Sequence, residues 1–546
     1  MAIAPRRSVR FQKRKTVGIL ARVVVLLACC APILAQAGGK LQANLAPTPP
    51  MGWASWNHFF CDYNEQTIRD QADALVSTGM RDLGYRYVLI QECIAPGRNT
   101  SGELIVDPVR FPDGMKALVD YIHARGLKAG IYTDVGPYTC NPKPRYQGSY
   151  GHEDQDARTF ASWGMDLVEM DYCNRVPGHT GREIYERMAA AIQKTHRPML
   201  FYICSWGNED PWTWAQGKAQ LWRTTGDISP RQDHVEWASV VKNFQLNARH
   251  AAFSAPNSWN DPDMLEVGNP GLNRIEERSH FSMWVISAAP LWAGNDLTRM
   301  DAATREIYTN VEAIAVDQDP LGAGPVKVRE DRKGLQVWMK PLGRIGSGTS
   351  AVLLLNLSPA AAEIAVQWSD LGLLGKADVR DLWTHQNLGQ IATSYRTQIP
   401  PHGSVLLKVT GNFSWTKGAT YPAAWPGNVR TGAAGYVVCH ECEGGYAISM
   451  PANRAGHNDG SSLEFTDIFV PTSGRYRITV YGIQSVSAGE HIAMKINQGG
   501  PVDILIHGAG ERSTAIPIQL KGGNNSITFM PVNANTISLD RLVLQR

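Results

Sequence analysis

This sequence has few cysteines, almost no excess of one charge sign over the other, and few long apolar runs. Its 546 residues include nine cysteines and 53 basic residues against 50 acidic ones. Seven of the bases lie in the first 37 residues, which contain no acid, so the remainder has 46 basic against 50 acidic residues. A nucleic-acid-binding protein requires a positively charged surface. The near-even balance of basic and acidic residues therefore excludes a nucleic-acid partner. Beyond position 37, no apolar stretch approaches the roughly 20 residues needed to cross a bilayer, so we expect no membrane association after signal removal.

The N-terminal segment has the features of an export signal. A basic stretch precedes the apolar run 23–35, and Ala35-Gln36-Ala37 resembles a cleavage site. This arrangement predicts a signal peptide over 1–37 and an exported protein, periplasmic or extracellular. Arg6-Arg7 leaves a twin-arginine route open, and the segment 27–29 leaves a lipoprotein box open. Export permits disulfides, and seven cysteines remain after the signal.

The next 270 residues or so alternate short apolar runs with amphipathic stretches. Such alternation is typical of repeated βα units. The apolar spacing of Ile184, Met188 and Ala191 predicts a helix packed on a sheet. Eight strands are expected, over 51–56, 85–92, 127–135, 165–173, 198–206, 221–227, 258–264 and 289–296. That number of units in this length predicts a TIM barrel.

Polar side chains gather where these predicted strands end. In a TIM barrel the strand C-termini form the active face. The residues there are mainly carboxylates and aromatics, which suit sugar ligands: Trp53, Trp56, Gln91, Glu92, Tyr132, Asp134, Asp171, Ser205, Trp206, Arg223, Asp227, Asp261, Asp263, Asn295 and Asp296. An alternative for any single Asp or Asn is that it only caps the following helix.

Six segments carry a resemblance to a known family. They are PPMGW (49–53), GIYTDVG (130–136), DYC (171–173), WRTTGD (222–227), WNDPDML (259–265) and DQDPLG (317–322). In this order they resemble glycoside hydrolase family 27, the α-galactosidase family. The resemblance implies a retaining exo-glycosidase without a cofactor or metal, acting on an oligo- or polysaccharide. It also implies that Asp171 is the nucleophile and Asp227 the general acid/base.

The resemblance further assigns substrate contacts and disulfides. Substrate-binding residues would be Trp56, Gln91, Glu92, Tyr132, Glu169, Ser205, Arg223 and Asp263. Arg223 can bind a sugar hydroxyl or hold Asp227, and a purely structural Arg–Asp pair is the alternative. The family pattern implies the disulfides Cys61–Cys93 and Cys140–Cys173, with Cys204 free.

Three of the residues expected to contact the sugar differ from the family pattern. Gln91 and Glu92 stand where α-galactosidases have two aspartates, and Glu169 stands where they have a lysine. Glu169 shares a strand face with Asp171, so we expect a raised pKa for one of the pair. Terminal α-galactosyl residues are the leading substrate. The alternatives are β-L-arabinopyranosides, α-1,6-glucans as in isomalto-dextranases, and a sugar-binding protein with an inactive barrel.

The C-terminal third changes to short alternating strands. We expect the barrel to span 46–324 and an antiparallel β-sandwich to span 325–410, followed by a linker or entry segment. Residues 429–546 contain CHECEGG (439–445), GRY (474–476), GGNNSI (522–527) and LDRL (539–542), and resemble carbohydrate-binding modules of family 35, which implies a jelly roll. A structural appendage that binds no sugar is the alternative. Cys439 and Cys442 are expected to form a small disulfide rather than half of a zinc site.

Overall fold

A computed structural model describes residues 44–228, 234–331, 334–451, 460–483, 490–506, 512–532 and 536–546. The predicted signal peptide over 1–37 lies outside these residues. None of the helices within the described ranges is long and apolar enough to span a membrane.

The first domain is a closed barrel of parallel strands. In chain order they are β1 (Met51–Ala54), β2 (Tyr87–Ile90), β3 (Lys128–Asp134), β4 (Leu167–Asp171), β5 (Leu200–Ile203), β6 (Leu221–Arg223), β7 (Trp259–Asp261) and β8 (Leu291–Ala293). From β1 to β7 each strand pairs with the next, and β8 pairs with β1. Leu265 joins β7 to β8, since its amide donates to the carbonyl of Trp292 over 2.8 Å. The predicted α/β barrel is confirmed.

Helices connect these strands and cover the barrel. They are α1 (Trp56–Phe59), α2 (Glu65–Ser77), α3 (Gly114–His123), α4 (Glu153–Trp163), α5 (Gly181–Lys194), α6 (Pro211–Trp214), α7 (Trp237–Ala248), α8 (Arg274–Ser287), α9 (Ala302–Tyr308) and α10 (Val311–Asp317). Short 3₁₀ turns lie at Met80–Leu83, Ala251–Phe253 and Leu297–Arg299, and a small hairpin pairs Gly97–Arg98 with Leu104–Ile105. The predicted stripe Ile184, Met188 and Ala191 is buried.

Capping signals in the sequence fix where several of these helices begin. Thr180 caps α5, because its hydroxyl accepts from the amide of Glu183 while Glu183 accepts from the amide of Thr180. Asn273 and Glu276 form the same capping box at α8. A capping box satisfies two backbone donors that the helix itself leaves unpaired.

The barrel strands end earlier than the sequence suggested. The sixth strand was expected over 221–227, whereas β6 ends at Arg223. Several residues that follow a strand have left-handed backbone angles, with φ of 57° at Glu92, 54° at Trp206 and 104° at Asp263. Such angles leave the extended conformation and are common where function constrains the backbone. Glu92, Trp206 and Asp263 therefore lie on turns above the sheet.

The second domain is an antiparallel sandwich packed on the barrel. One sheet has the order Val326–Glu330, Leu335–Pro341, Thr349–Asn356, Ser404–Phe413, Leu373–Asp381 and Gln386–Ile391, and the other pairs Ala362–Gln367 with Ser394–Ile399. A 3₁₀ turn lies at Trp368–Leu371. Trp383 anchors the domain, because its indole N–H donates to the hydroxyl of Ser282 on α8 over 2.9 Å.

The third domain has two further antiparallel sheets and its own apolar core. The first contains Gly435–Val438, Tyr446–Met450, Ile537–Gln545, Gly474–Ile483 and Arg512–Leu520. The second contains Val429–Thr431, Ser462–Val470, Gly523–Pro531, Glu490–Ile496 and Val502–Ile506. A 3₁₀ turn lies at Glu443–Gly445.

One part of the expected linker belongs to this third domain. Ala419–Pro422 is a strand that pairs with the chain's last strand, Ile537–Gln545. Ala419 and Tyr421 are buried in the domain core, so burial of alternate residues overrides the turn signal of the neighbouring Pro and Gly residues. The domain also contacts the barrel, where Gln216 Nε2 donates to the Tyr436 hydroxyl over 2.6 Å.

Candidate active site

A cavity of about 760 Å³ opens at the C-terminal ends of the barrel strands. Its floor is formed by buried side chains that the strands, or the residues directly after them, carry: Leu89, Gln91, Tyr132, Glu169, Asp171, Tyr202, Cys204, Arg223 and Trp292. Its rim is formed by residues of the short helix α1 and of the loops that follow the strands: Asn57, His58, Phe60, Asn141, Pro142, Lys143, Pro144, Trp206, Asp227, Val235, Glu266, Asn269 and Pro270.

Asp171 is the last residue of β4 and lies buried in the floor. Its Oδ2 lies 2.7 Å from the Tyr132 hydroxyl, and its Oδ1 accepts from the amide of Tyr172 over 2.8 Å. Burial raises the pKa of Asp171 to about 7, although the hydrogen bond from Tyr132 favours the ionised form. The carboxylate is thus desolvated yet held in one orientation by two donors.

Arg223 holds two further carboxylates at the cavity. Its guanidinium lies 3.1 Å from Asp227 Oδ1 and 3.1 Å from Asp263 Oδ1. The Asp227 side chain is 57% exposed, whereas that of Asp263 is 4% exposed. Burial raises the pKa of Asp263 to about 7, and the charge of Arg223 opposes that rise. Arg223 therefore joins a buried carboxylate to one that water reaches.

Glu92 lies near Asp171, because the Tyr132 hydroxyl contacts both carboxyl groups, and hydrogen bonds fix its position. It accepts from the Thr139 hydroxyl over 2.7 Å and from the amide of Asn141 over 3.0 Å, and its Oε1 lies 3.2 Å from the Tyr132 hydroxyl. Burial raises its pKa. These contacts fix both carboxyl oxygens of Glu92, whose side chain lines the cavity.

Gln91 and Glu169 form a buried pair in the floor. Gln91 Nε2 donates to Glu169 Oε2 over 2.7 Å, and Gln91 Oε1 accepts from the amide of Trp56 over 3.2 Å. Burial raises the pKa of Glu169 well above its usual range, and the charge of Asp171 raises it further. The like-charge effect expected from the i, i+2 spacing is confirmed.

The predicted disulfides are present. Cys61 bonds Cys93, Cys140 bonds Cys173, and Cys439 bonds Cys442, while Cys204 is free and buried. The sulfur of Cys140 lies 3.1 Å from Asp171 Oδ2. Asp134, Cys140, Asp171 and Cys173 place potential ligand atoms within 4.8 Å of one another, but the disulfide removes both thiolates as metal ligands.

The cavity includes most of the predicted site residues. Those lining it are Trp56, Gln91, Glu92, Tyr132, Glu169, Asp171, Arg223, Asp227 and Asp263. Ser205 is not among its lining residues, and its hydroxyl donates to the carbonyl of Asn208 over 3.0 Å. Its neighbours Cys204 and Trp206 both line the cavity, so the alternation of side chains along the extended chain turns Ser205 away.

Several lining residues had been left out of the predicted contacts. Cys204, Trp206, Met264 and Glu266 all line the cavity. The alternation that removes Ser205 would have selected Cys204 and Trp206. Glu266 follows no such pattern, because it lies on a loop five residues beyond β7.

Comparison with known proteins decides the family. A family model for alpha galactosidase A matches residues 48–319, and one for the alpha galactosidase C-terminal beta sandwich domain matches 332–409. The alpha-galactosidase of Oryza sativa is 45% identical over 375 residues, covering 68% of this chain and 86% of the relative.

The chain belongs to glycoside hydrolase family 27, the α-galactosidase family.

Solved structures of this family agree with the fold. The alpha-galactosidase I of Mortierella vinacea is 35% identical with a TM-score of 0.62, covering 67% of this chain and 98% of the other. The Saccharomyces cerevisiae alfa-galactosidase with raffinose is 27% identical with a TM-score of 0.60, covering 66% and 97%. This family 27 member is therefore a glycoside hydrolase.

Proposed function

We propose that this protein is an exported, retaining exo-glycosidase that removes terminal α-galactosyl residues. The observation that carries the proposal is the pair of carboxylates at one cavity, one buried and one exposed. Asp171 lies in the floor beside Tyr132, and Asp227 lies on the rim beside Arg223. Retaining hydrolysis needs one carboxylate as nucleophile and a second as acid and then base.

Asp171 is the nucleophile in this proposal. Its oxygen attacks the anomeric carbon as the bond from that carbon to the leaving-group oxygen breaks, and Asp227 gives that oxygen its proton. The product is a glycosyl ester on Asp171. Asp227, now ionised, takes a proton from water, and the resulting hydroxide attacks the anomeric carbon and releases Asp171. Arg223 keeps Asp227 in place through both steps.

The shape of the cavity supports exo action. Its floor is closed by buried side chains, including Leu89, Tyr202 and Trp292. A chain-internal sugar needs an exit at both ends, whereas a closed floor accepts one terminal ring. Trp56 and Trp206 offer aromatic surfaces for that ring and its neighbour.

A second candidate glycone is favoured by Glu92. Its fixed carboxyl takes up space that a hydroxymethyl group of galactose would need, which suits β-L-arabinopyranosides. Action on α-1,6-glucans is a third possibility, because the uncharged Gln91 stands where α-galactosidases have an aspartate. All three substrates would use the same two carboxylates.

Two other features fit secretion and polysaccharide substrates. Three disulfides are typical of proteins folded in an oxidising compartment. The third domain, residues 429–546, resembles a carbohydrate-binding module in sequence. We infer that it binds the polysaccharide from which terminal sugars are removed.

An activity screen tests the proposal. The full chain is assayed with p-nitrophenyl α-galactoside, β-L-arabinopyranoside and α-glucoside, and the anomer first released is followed by NMR. We expect the fastest hydrolysis with α-galactoside and release of the retained anomer. Release of the inverted anomer, or activity on none of the three, would overturn it.

A further inference from the structure

One buried carboxyl group beside Asp171 has no part in the proposed mechanism. Asp134 is the last residue of β3 and pairs in register with Asp171, the last residue of β4. Asp134 is fully buried and is not among the residues that line the cavity. A carboxylate oxygen of Asp134 nevertheless lies within 4.8 Å of one of Asp171. Asp134 can therefore act on the reaction only through other groups of the protein.

Both oxygens of Asp134 accept hydrogen bonds from the backbone of the loops that follow β3 and β4. The amide of Gly136 donates to Oδ1 over 2.6 Å, and the amide of Cys173 donates to Oδ2 over 2.9 Å. Burial raises the pKa of Asp134 well above its usual range, whereas these two hydrogen bonds favour the ionised form. Because each oxygen faces a donor, this position requires a side chain with two acceptors.

Through Cys173, Asp134 fixes the disulfide that contacts Asp171. Cys173 is bonded to Cys140. The sulfur of Cys140 lies 3.6 Å from Asp134 Oδ2 and 3.1 Å from Asp171 Oδ2. Asp171 Oδ2 is also the oxygen that the Tyr132 hydroxyl contacts. The disulfide therefore limits rotation of the Asp171 carboxyl on one side, and Asp134 determines where the disulfide lies.

The two loops are packed so tightly that Asp134 has little room to move. A Cβ on Gly136 would lie 2.4 Å from the carbonyl oxygen of Asn174, and one on Gly148 would lie 2.2 Å from the carbonyl oxygen of Gly136. The backbone approaches itself so closely here that only glycine fits at either position. Close-packed groups transmit a displacement to their neighbours, so a change at Asp134 reaches the segment 171–174.

We propose that Asp134 is a positioning residue for the nucleophile. Its carboxylate holds the backbone at Gly136 and Cys173, and so keeps the Asp171 carboxyl in the orientation that attack on the anomeric carbon requires. This inference rests on the proposed function, because it takes Asp171 to be the nucleophile. A misplacement of about 1 Å at the reacting atoms can cost roughly 100-fold in rate, so Asp134 affects catalysis without touching the substrate.

Asp134→Asn tests the proposal with little change in side-chain shape. The new side chain offers an oxygen to one of the two amides and an NH₂ group to the other, so one hydrogen bond is replaced by two donors that face each other. We expect kcat on p-nitrophenyl α-galactoside to fall roughly 10- to 100-fold. KM should stay within about twofold, because Asp134 does not line the cavity. The rate of the pre-steady-state burst measures the attack step itself and should fall with kcat.

Asp317→Asn is the matched control for loss of a buried carboxylate. Asp317 is as buried as Asp134, ends α10 and is not among the lining residues of the cavity. Denaturant unfolding reports the stability of both variants, and we expect kcat to be unchanged in folded Asp317→Asn. If Asp134→Asn does not fold, Asp134→Ser, which keeps one acceptor, replaces it with the same expectation. An unchanged kcat at position 134, or an equal fall in the control, would overturn the proposal.

Failure of the proposed function can be told apart from failure of the positioning role. If the wild-type chain hydrolyses none of the glycosides, the proposed function fails, and the Cys140–Cys173 disulfide then decides the role of Asp134. Its reduction by dithiothreitol is followed by alkylation of the thiols and peptide mapping. We expect reduction to be roughly 3- to 10-fold faster in Asp134→Asn, the worth of one hydrogen bond, and unchanged in Asp317→Asn. Equal rates in all three proteins would reject the positioning role.

Discussion

The floor and the rim of the cavity differ in how they are built and in what they do. Asp171 in the floor ends a barrel strand and is buried, while Asp227 on the rim lies on a loop with a 57% exposed side chain. A buried carboxylate is poorly hydrated and ready to attack carbon. An exposed one can exchange protons with water, which the second half of a double displacement requires.

In the proposed mechanism, nucleophilic attack takes place at the buried floor of the cavity and proton transfer takes place at its exposed rim. Strand ends give the floor fixed positions, so Glu92 and Glu169, which we propose contact the sugar, are held by several hydrogen bonds or by complete burial. On the rim, the loop residue Asp227 has an exposed side chain, and in the proposed mechanism it meets the leaving group. Substitutions in the floor should therefore act on attack and glycone choice, and substitutions on the rim on the leaving group.

The largest expected effect comes from Asp171→Asn. The amide cannot form the glycosyl ester, so kcat should fall by about 10⁴- to 10⁶-fold, as for removal of nucleophiles elsewhere. Steady-state kinetics with an aryl glycoside measure this. Asp166→Asn is the matched control, since Asp166 lies before the start of the same strand and contacts His123 and Arg197. A similar loss in both variants would remove the special role of Asp171.

The loss of activity in Asp227→Asn should depend on the leaving group, which distinguishes a rim carboxylate from a floor carboxylate. Sugars leave poorly without a proton, whereas p-nitrophenolate leaves unaided. We expect a loss of about 10²- to 10⁴-fold on melibiose and a clearly smaller loss of the glycosylation rate with the aryl glycoside. Pre-steady-state kinetics on both substrates provide the readout. Equal losses would argue against Asp227 as the acid.

Glu92→Asp tests glycone choice in the floor. Shortening the side chain by one methylene opens space near the hydroxymethyl group, so the ratio of kcat/KM should shift toward α-galactoside and away from β-L-arabinopyranoside. One methylene is worth roughly 10- to 200-fold in such discrimination. Glu169→Lys should instead change the overall rate, because it places a cation beneath Asp171. A ratio unchanged within about twofold in Glu92→Asp would show that Glu92 does not set specificity.

The Cys140–Cys173 disulfide lies beside Asp171, so it connects the stability of the fold to the geometry of the cavity floor. Replacing Cys140 and Cys173 together by Ser should lower the free energy of unfolding by about 2–5 kcal/mol and should reduce activity. Replacing Cys439 and Cys442, which lie in the third domain, should leave activity on small glycosides intact. Denaturant unfolding and aryl glycoside assays compare the two. Full activity in the first variant would show that the floor does not depend on this bond.

The smallest expected effect is on the pH profile. Asp171 must be ionised to attack, and its pKa is raised to about 7, so kcat/KM should fall as pH drops below about 7. Tyr132→Phe removes a hydrogen bond that favours the ionised form, so the acidic limb should move to higher pH. Rate measurements across pH for both enzymes test this. A shift of the limb to lower pH would contradict the assignment.

The floor was largely predictable from the sequence, and the rim was not. Apolar runs ending in Gln91, Glu92 and Asp171 mark strand ends, which one barrel face brings together. Ser205 was wrongly predicted to bind the substrate. Side chains alternate along an extended chain, so a shift of one residue decides which of them face the cavity. Glu266 carries no periodic signal, since its position depends on a loop and on contacts with Asn57 and Asn269.

Covalent trapping of the glycosyl-enzyme shows whether Asp171 is the nucleophile. A 2-deoxy-2-fluoro galactosyl fluoride slows both steps of a double displacement, so the glycosyl-enzyme accumulates and can be digested for mass spectrometry. We expect one added fluorosugar on the peptide that contains Asp171, with none in Asp171→Asn. A label on another carboxylate, or hydrolysis with inversion and no label, would contradict it.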